Sequence, residues 1–290
     1  MKTTQLCLLL LLCSATQSTR AQQFYAGLGG GYGFPAAKQS ILNDEKTSYN
    51  NSSGGSYEAT ARPISMGSGI NAGLFFGYMM NSNLGFELGV SYLLGNKYKF
   101  VNEYSESYNN YYETETYNYL LQGNMIRLVP AMRFVLGDKK IRPYMKAGML
   151  IGLGANFTME MNDNYTSPYG SSTSERLIEY SGGLSLGFHG GVGINYQASS
   201  RLIVFAECAV NYQNWAPLKG EVTKYTEDGV DQLPLMDKYE KETEYLNSYT
   251  YTSSSSPDPN APNKALKFYM PFSSIGLNVG VVINFGKKGE

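Results

Sequence analysis

One histidine, one tryptophan and three cysteines in 290 residues leave little material for metal or thiol chemistry. Two of the cysteines, Cys7 and Cys13, fall in an N-terminal segment that reads as cleaved, so Cys208 would stand alone. That excludes an intramolecular disulfide and a cysteine-based metal site. No cofactor and no metal are expected. Charged residues make up only 16% of the chain, with a net charge of -1, and no basic cluster invites nucleic acid. Long apolar runs are missing as well. The longest, Leu6 to Cys13, is far short of the ~18 residues that a spanning helix requires. A helical membrane protein is therefore excluded.

What is abundant is glycine and tyrosine, 32 and 25 residues, the profile of a strand-rich and turn-rich protein. The start of the chain reads as a secretory signal, with Lys2 in the positive region, Leu6 to Cys13 as the apolar stretch and Thr19-Arg20-Ala21 as a small-x-small site. Residues 1–21 are expected to be the signal peptide and 22–290 the mature domain. Acylation of Cys13 is disfavoured because Leu12 occupies a position where a small residue is preferred.

From Gln23 onward the pattern has period two, which sends successive side chains to opposite faces of a strand. Eight segments carry it. The first sets Phe24, Ala26, Leu28, Tyr32 and Phe34 against Gly27, Gly29, Gly31 and Gly33. Others run from Met66 to Met80, Leu84 to Gly95, Tyr119 to Leu136, Arg142 to Thr158, Leu184 to Tyr196, Leu202 to Gln213 and Ser274 to Phe285. In the fifth, Met145, Met149, Leu153 and Phe157 share the apolar face, and Lys146, Gly148, Gly152 and Asn156 the other. The polar face is too small, too rich in glycine, for a solvated surface. It fits the crowded interior of a narrow barrel whose apolar face looks toward lipid. The expected fold is all-β: an eight-stranded antiparallel transmembrane up-and-down barrel with long extracellular loops.

Short connections at Asn81-Ser82-Asn83, Gly137 to Lys140 and Ala198 to Arg201 alternate with long polar ones at about 35–65, 102–118, 159–180 and 215–267. Barrels of the outer membrane have short periplasmic turns and long external loops, which predicts that both termini are periplasmic. The long segments are acidic on balance and the opposite end is basic. Whether the last loop conceals a further hairpin, making ten strands, stays open.

Two adjacent stretches, Ile126-Arg127-Leu128-Val129-Pro130-Ala131-Met132-Arg133-Phe134 and Ile141-Arg142-Pro143-Tyr144-Met145-Lys146-Ala147-Gly148 running on to Gly152 and Gly154, resemble the outer-membrane-protein β-barrel domain family, which includes PorT-like small barrels. The end, Gly280-Val281-Val282-Ile283-Asn284-Phe285, is similar to the aromatic-ended final strand read by the barrel-assembly machinery. More distantly the layout is similar to OmpA-type and OmpX-type barrels. The resemblance implies an outer-membrane location, with membrane lipid and the assembly machinery as partners. It says little about function.

Glu87, Arg127, Arg133, Lys146 and Glu207 all fall on the inward face. A charge inside a narrow barrel must find a partner, so an ion-pair network filling the lumen is expected in preference to a gated ion path. His189 and Asn278 are read as lumen polar residues. His189 is followed by Gly190 and Gly191, lacks the His-x-Ser pair of the lipid A deacylases, and has no nucleophile beside it. No catalytic residue is assigned, and an enzyme is not expected. In the segment 102–118, Tyr104, Tyr108, Tyr111 and Tyr112 stand among Glu103, Glu106, Glu113 and Glu115. Tyrosine offers rigid amphipathic contact area, which suits a surface ligand of unknown identity; decoration of extended strands accounts for the pattern equally well. Ser253 to Pro262 reads as an extended linker. Asn51-Ser52-Ser53 and Asn164-Tyr165-Thr166 match a glycosylation pattern that is common by chance. The expectation is an integral barrel with a structural or surface-binding role. Passage of a small or hydrophobic solute, or service in envelope or secretion machinery, are the alternatives.

Overall fold

The computed structural model describes residues 23–50, 54–109, 111–250 and 257–285. The expected signal peptide, the sequon at Asn51, part of the serine- and proline-rich linker and the tail from Gly286 to Glu290 lie outside the described residues. Among the described residues sixteen strands follow in chain order. They are β1 (Gln23–Pro35), β2 (Asn43–Asn50), β3 (Gly54–Ala61), β4 (Gly69–Met79), β5 (Leu84–Tyr108), β6 (Tyr111–Val135), β7 (Ile141–Ser167) and β8 (Gly170–Ser181). There follow β9 (Ser185–Gln197), β10 (Leu202–Trp215), β11 (Lys219–Glu227), β12 (Val230–Asp231), β13 (Glu242–Leu246), β14 (Asn263–Leu266), β15 (Met270–Pro271) and β16 (Ser274–Asn284).

Eight of these close on themselves. β1 pairs β4, then β5, β6, β7, β9, β10 and β16 follow, each antiparallel to the last, and β16 returns to β1 with Leu28 opposite Val281. A closed ring leaves no ladder edge unpaired. Its short connections are tight turns fixed by side chains: Asn81 Oδ1 accepts from the N–H groups of Asn83 and Leu84 at 2.9 and 2.7 Å. Ser199 Oγ does the same for Arg201 and Leu202 at 3.3 and 3.1 Å. These turns and residue 23 mark one end of the ring, here the turn end.

At the other end the described parts of the long segments, which the sequence pattern predicted as loops, are largely sheet. β5 and β6 run on past the ring as one hairpin to the pair Tyr108 and Tyr111, and β7 continues into β8. β11 adds to β8 and β13 to β11, while β2 adds to β5 and β3 to β2, so a wall of strands rises above one side of the ring. Among the described residues, none of the strands between Lys219 and Leu266 enters the ring. Two pairs, β2 with β5 and β13 with β14, are parallel, a departure from pure up-and-down topology.

Around the ring the predicted faces hold: Leu74, Phe188, Val204 and Val279 point outward and are exposed, while Phe75, Phe205 and Glu207 between them point in and are largely buried. The exception is Phe157. Gly154 sits at φ +55° beside a register shift between β6 and β7, a bulge that inserts one residue and exchanges the faces beyond it. Ala155 and Phe157 therefore turn inward and are buried, contrary to the unbroken alternation expected. A matching shift after Leu94 in β5 carries Phe100 inward.

Candidate functional site in the lumen

The lumen is filled in two layers. Toward the turn end lies a charged layer borne by the ring strands. Glu87 on β5 receives Arg133 Nη1 of β6 at 2.9 Å and Lys146 Nζ of β7 at 3.0 Å, and Lys146 also meets Glu207 Oε2 of β10 at 2.8 Å. Four of the five expected charges thus form one chain of alternating sign. Three residues that the sequence reading passed over complete it. The Tyr25 and Tyr144 hydroxyls donate to Glu87 and Glu207 at 3.1 and 2.9 Å, and Arg133 Nη2 donates to Asn195 Oδ1 at 2.9 Å. The Arg133 guanidinium lies 4.2 Å from the Tyr144 ring centroid. All three share the inward parity of the charges, which was the available signal.

Glycines on the same face make room for these large side chains. A Cβ at Gly193 would stand 2.6 Å from Cζ of Tyr144, one at Gly29 would stand 2.8 Å from Cζ of Phe205, and one at Gly77 would collide with the Tyr25 ring. The small residues are the complement of buried aromatics, not empty space.

Arg127, the fifth expected member, is not in this network. It lies deeper, and its Nη2 donates to the carbonyl oxygen of Phe272 at 2.8 Å. Phe272 belongs to the second layer, an apolar plug toward the wall end. Segments 62–68 and 267–273, just before β4 and β16, fold inward across the ring and bury Met66, Met270 and Phe272 against Leu93, Phe100, Leu121, Met125 and Trp215. The two segments are joined by Ser65 Oγ donating to Ser273 O at 2.7 Å and Met66 N donating to Pro271 O at 2.8 Å. Phe272 N donates to Gln213 O at 2.8 Å, and its ring meets Trp215 edge-on at 6.0 Å. The sequence pattern places Met66 to Ser68 at the start of a strand and shows no periodicity in 267–273, so the plug was not foreseen.

His189 Nδ1 lies 2.8 Å from Asn211 Oδ1, and His189 and Asn278 line the same interior. Between the layers remains a cavity of about 110 Å³. The turn end opens into a vestibule of about 310 Å³ that reaches Arg133, Arg142 and Tyr25.

The loop tyrosines stand on the β5–β6 hairpin. The Tyr104 hydroxyl donates to Glu106 at 2.6 Å, and that carboxylate pushes its pKa up to about 12. Tyr111 is raised for the same reason by Glu113. Residues two apart share a strand face, which is why each tyrosine finds its own neighbour. Tyr108 and Tyr112, at the tip, are exposed and, among the described residues, hold no such bond to a neighbouring carboxylate.

A closed ring, apolar outside and charged within, inverts the arrangement of a water-soluble protein and defines a β-barrel made for a membrane. A family profile described as the outer membrane protein β-barrel domain matches residues 5–216, more than half of the sequence, and the chain belongs to that family. It is accordingly an outer-membrane protein. The match spans β1 to β10; the closing strand β16 follows beyond it. Among curated proteins, none matches the sequence.

Proposed function

We propose that the chain is an eight-stranded transmembrane barrel with both termini in the periplasm, closed to ion flow, and that its raised sheet is a binding surface outside the cell. The observation that carries the closed state is the plug of Met66, Met270, Phe272 and Trp215, fully buried across the ring above a charged layer with no free acid. Eight strands leave an interior just wide enough for side chains, and here they occupy it. The external placement of the wall follows from the short turns and the N-terminus sharing the opposite end. Its surface offers Tyr49, Tyr57, Tyr108, Tyr112 and Tyr169 among glutamates, all five tyrosines exposed. Such residues give contact area at low entropic cost, the chemistry of a protein or glycan ligand. The lumen has no catalytic role, and lipid and the assembly machinery are its partners in the membrane.

The test has three arms on one protein. Cysteines at Ser107 and Ser82, in a Cys208→Ser background, are probed with an impermeant reagent on intact cells: Ser107 should label and Ser82 should not, and the reverse overturns the orientation. In planar bilayers the protein should give no stable conductance; a steady current would favour the transport alternative. Binding to matrix proteins and envelope glycans should fall when residues 102–118 are shortened to a tight turn. A secretion defect on deletion with no ligand found would favour the machinery alternative.

A further inference from the structure

The charged layer balances within itself: Glu87 and Glu207 are met by Arg133 and Lys146. Arg127 is a further cation outside that balance. It is only 3% exposed and makes no ion pair among the described residues. The Phe272 carbonyl takes one of its N–H groups, and its Nε has no partner. A guanidinium carries five donors and stays charged at any pH the protein meets, so it cannot escape burial by giving up a proton. Buried charges are paired or costly. Arg127 borders the cavity of about 110 Å³ between the two layers. On that cavity's wall, Asn278 Oδ1 is likewise buried without a donor.

We propose that this cavity binds one small monovalent anion, of chloride's size, with water. Arg127 supplies the counter-charge, and a water bound beside the anion donates to Asn278. The volume suits this content, since a water occupies about 30 Å³ in the liquid. Size and charge are limited by the walls. Glu87 and Glu207 border the same space, so a divalent anion would face two carboxylates, whereas a single negative charge is balanced by Arg127. The ion is held where Arg127 faces the charged layer, so it binds the folded form and not the unfolded one.

The protein is therefore refolded into detergent micelles in sodium chloride, sodium bromide or sodium gluconate at equal ionic strength and unfolded with urea, which adds no halide. Midpoints should be higher in chloride and bromide than in gluconate, whose anion is too large for the cavity. Arg127→Met should remove that difference. Crystals of the unaltered protein refolded in bromide should show an anomalous peak beside Arg127. Equal midpoints in the three salts, or a bromide-refolded crystal without that peak, overturns the proposal. The crystal arm holds even if Arg127→Met does not refold.

Discussion

Near the turn end the lumen is held by Glu87, Arg133, Lys146 and Glu207, all carried on ring strands, whereas near the wall end it is held by Met66, Met270 and Phe272, carried on the segments 62–68 and 267–273 that fold inward before β4 and β16. The two fillings answer to different physics. A charge network is specific in direction but marginal in net stability, because each ion forfeits its hydration. An apolar plug is non-directional and gains steadily with area. A barrel that must exclude water and keep its register can use the second for closure and the first for alignment. The cavity lies where they meet.

The sharpest break of this contrast is at the plug. Phe272→Ala empties a fully buried ring site against Trp215 and should cost about 4 kcal/mol, within the range for large-to-small core changes. Urea unfolding of the refolded variant measures it. Because the same residue's carbonyl receives Arg127, the backbone bond survives while the packing goes; a loss under about 1 kcal/mol would mean that the plug is not close-packed.

The charged layer should respond less and less simply. Glu207→Gln removes one of two acids from Lys146, which keeps Glu87 at 3.0 Å, so about 3 kcal/mol is expected, the lower end for breaking a buried pair. Adding Lys146→Met should recover part of it, since contacting residues are not additive. Strictly additive losses would show that the two residues do not interact.

Outside the lumen, Val279→Arg sets a charge on the exposed face near the middle of β16 and should destabilise the bilayer-inserted protein by about 2 to 3 kcal/mol. Asn278→Ser, one residue away and inward, should cost much less, as it sets no charge against lipid. Equal effects would contradict the face assignment.

Much of this was legible in the sequence because a strand has a strict period of two: once Phe205 and Glu207 share a parity, both face the lumen. The same rule failed at Phe157, where Gly154 inserts a bulge that no residue count announces. For Arg127 it gave the face and not the partner. Parity placed it inside correctly, but its one bonded partner is a backbone carbonyl at position 272, on a segment whose inward course follows from tertiary contacts alone. The region 102–118 looked like a loop because glutamate, asparagine and serine are poor strand formers. Tyr104 opposite Glu115 and Ser105 opposite Thr114 show the cross-strand pairs that override that preference.

The smallest effect is expected where the wall meets the ring, and it separates lumen from surface. Arg62, at the start of the plug segment 62–68, donates to Asp44 Oδ2 at 2.9 Å, and Asp44 Oδ1 accepts from the N–H of Val101 at 2.9 Å, tying β2 to β5. Partial desolvation opposes ionisation there, yet the Val101 N–H and the Arg62 guanidinium together hold the Asp44 carboxyl below its usual value. A carboxyl lowered on folding stabilises the folded form above its unfolded pKa, about 3.9, and that contribution is lost as pH falls through the lower folded value. The pair is part-exposed, with Arg62 at 49% and Asp44 at 30%, so screening limits the effect to well under 1 kcal/mol. Protection of the β2–β3 hairpin against hydrogen exchange, taken relative to the intrinsic rate at each pH, should therefore fall as the pH drops below about 4 while the β5–β6 ladder stays protected, and Asp44→Asn should show the lowered protection already at neutral pH. If the whole barrel opened together over that range, the wall would be one cooperative unit with the plug, and the division between the two regions would have to be redrawn.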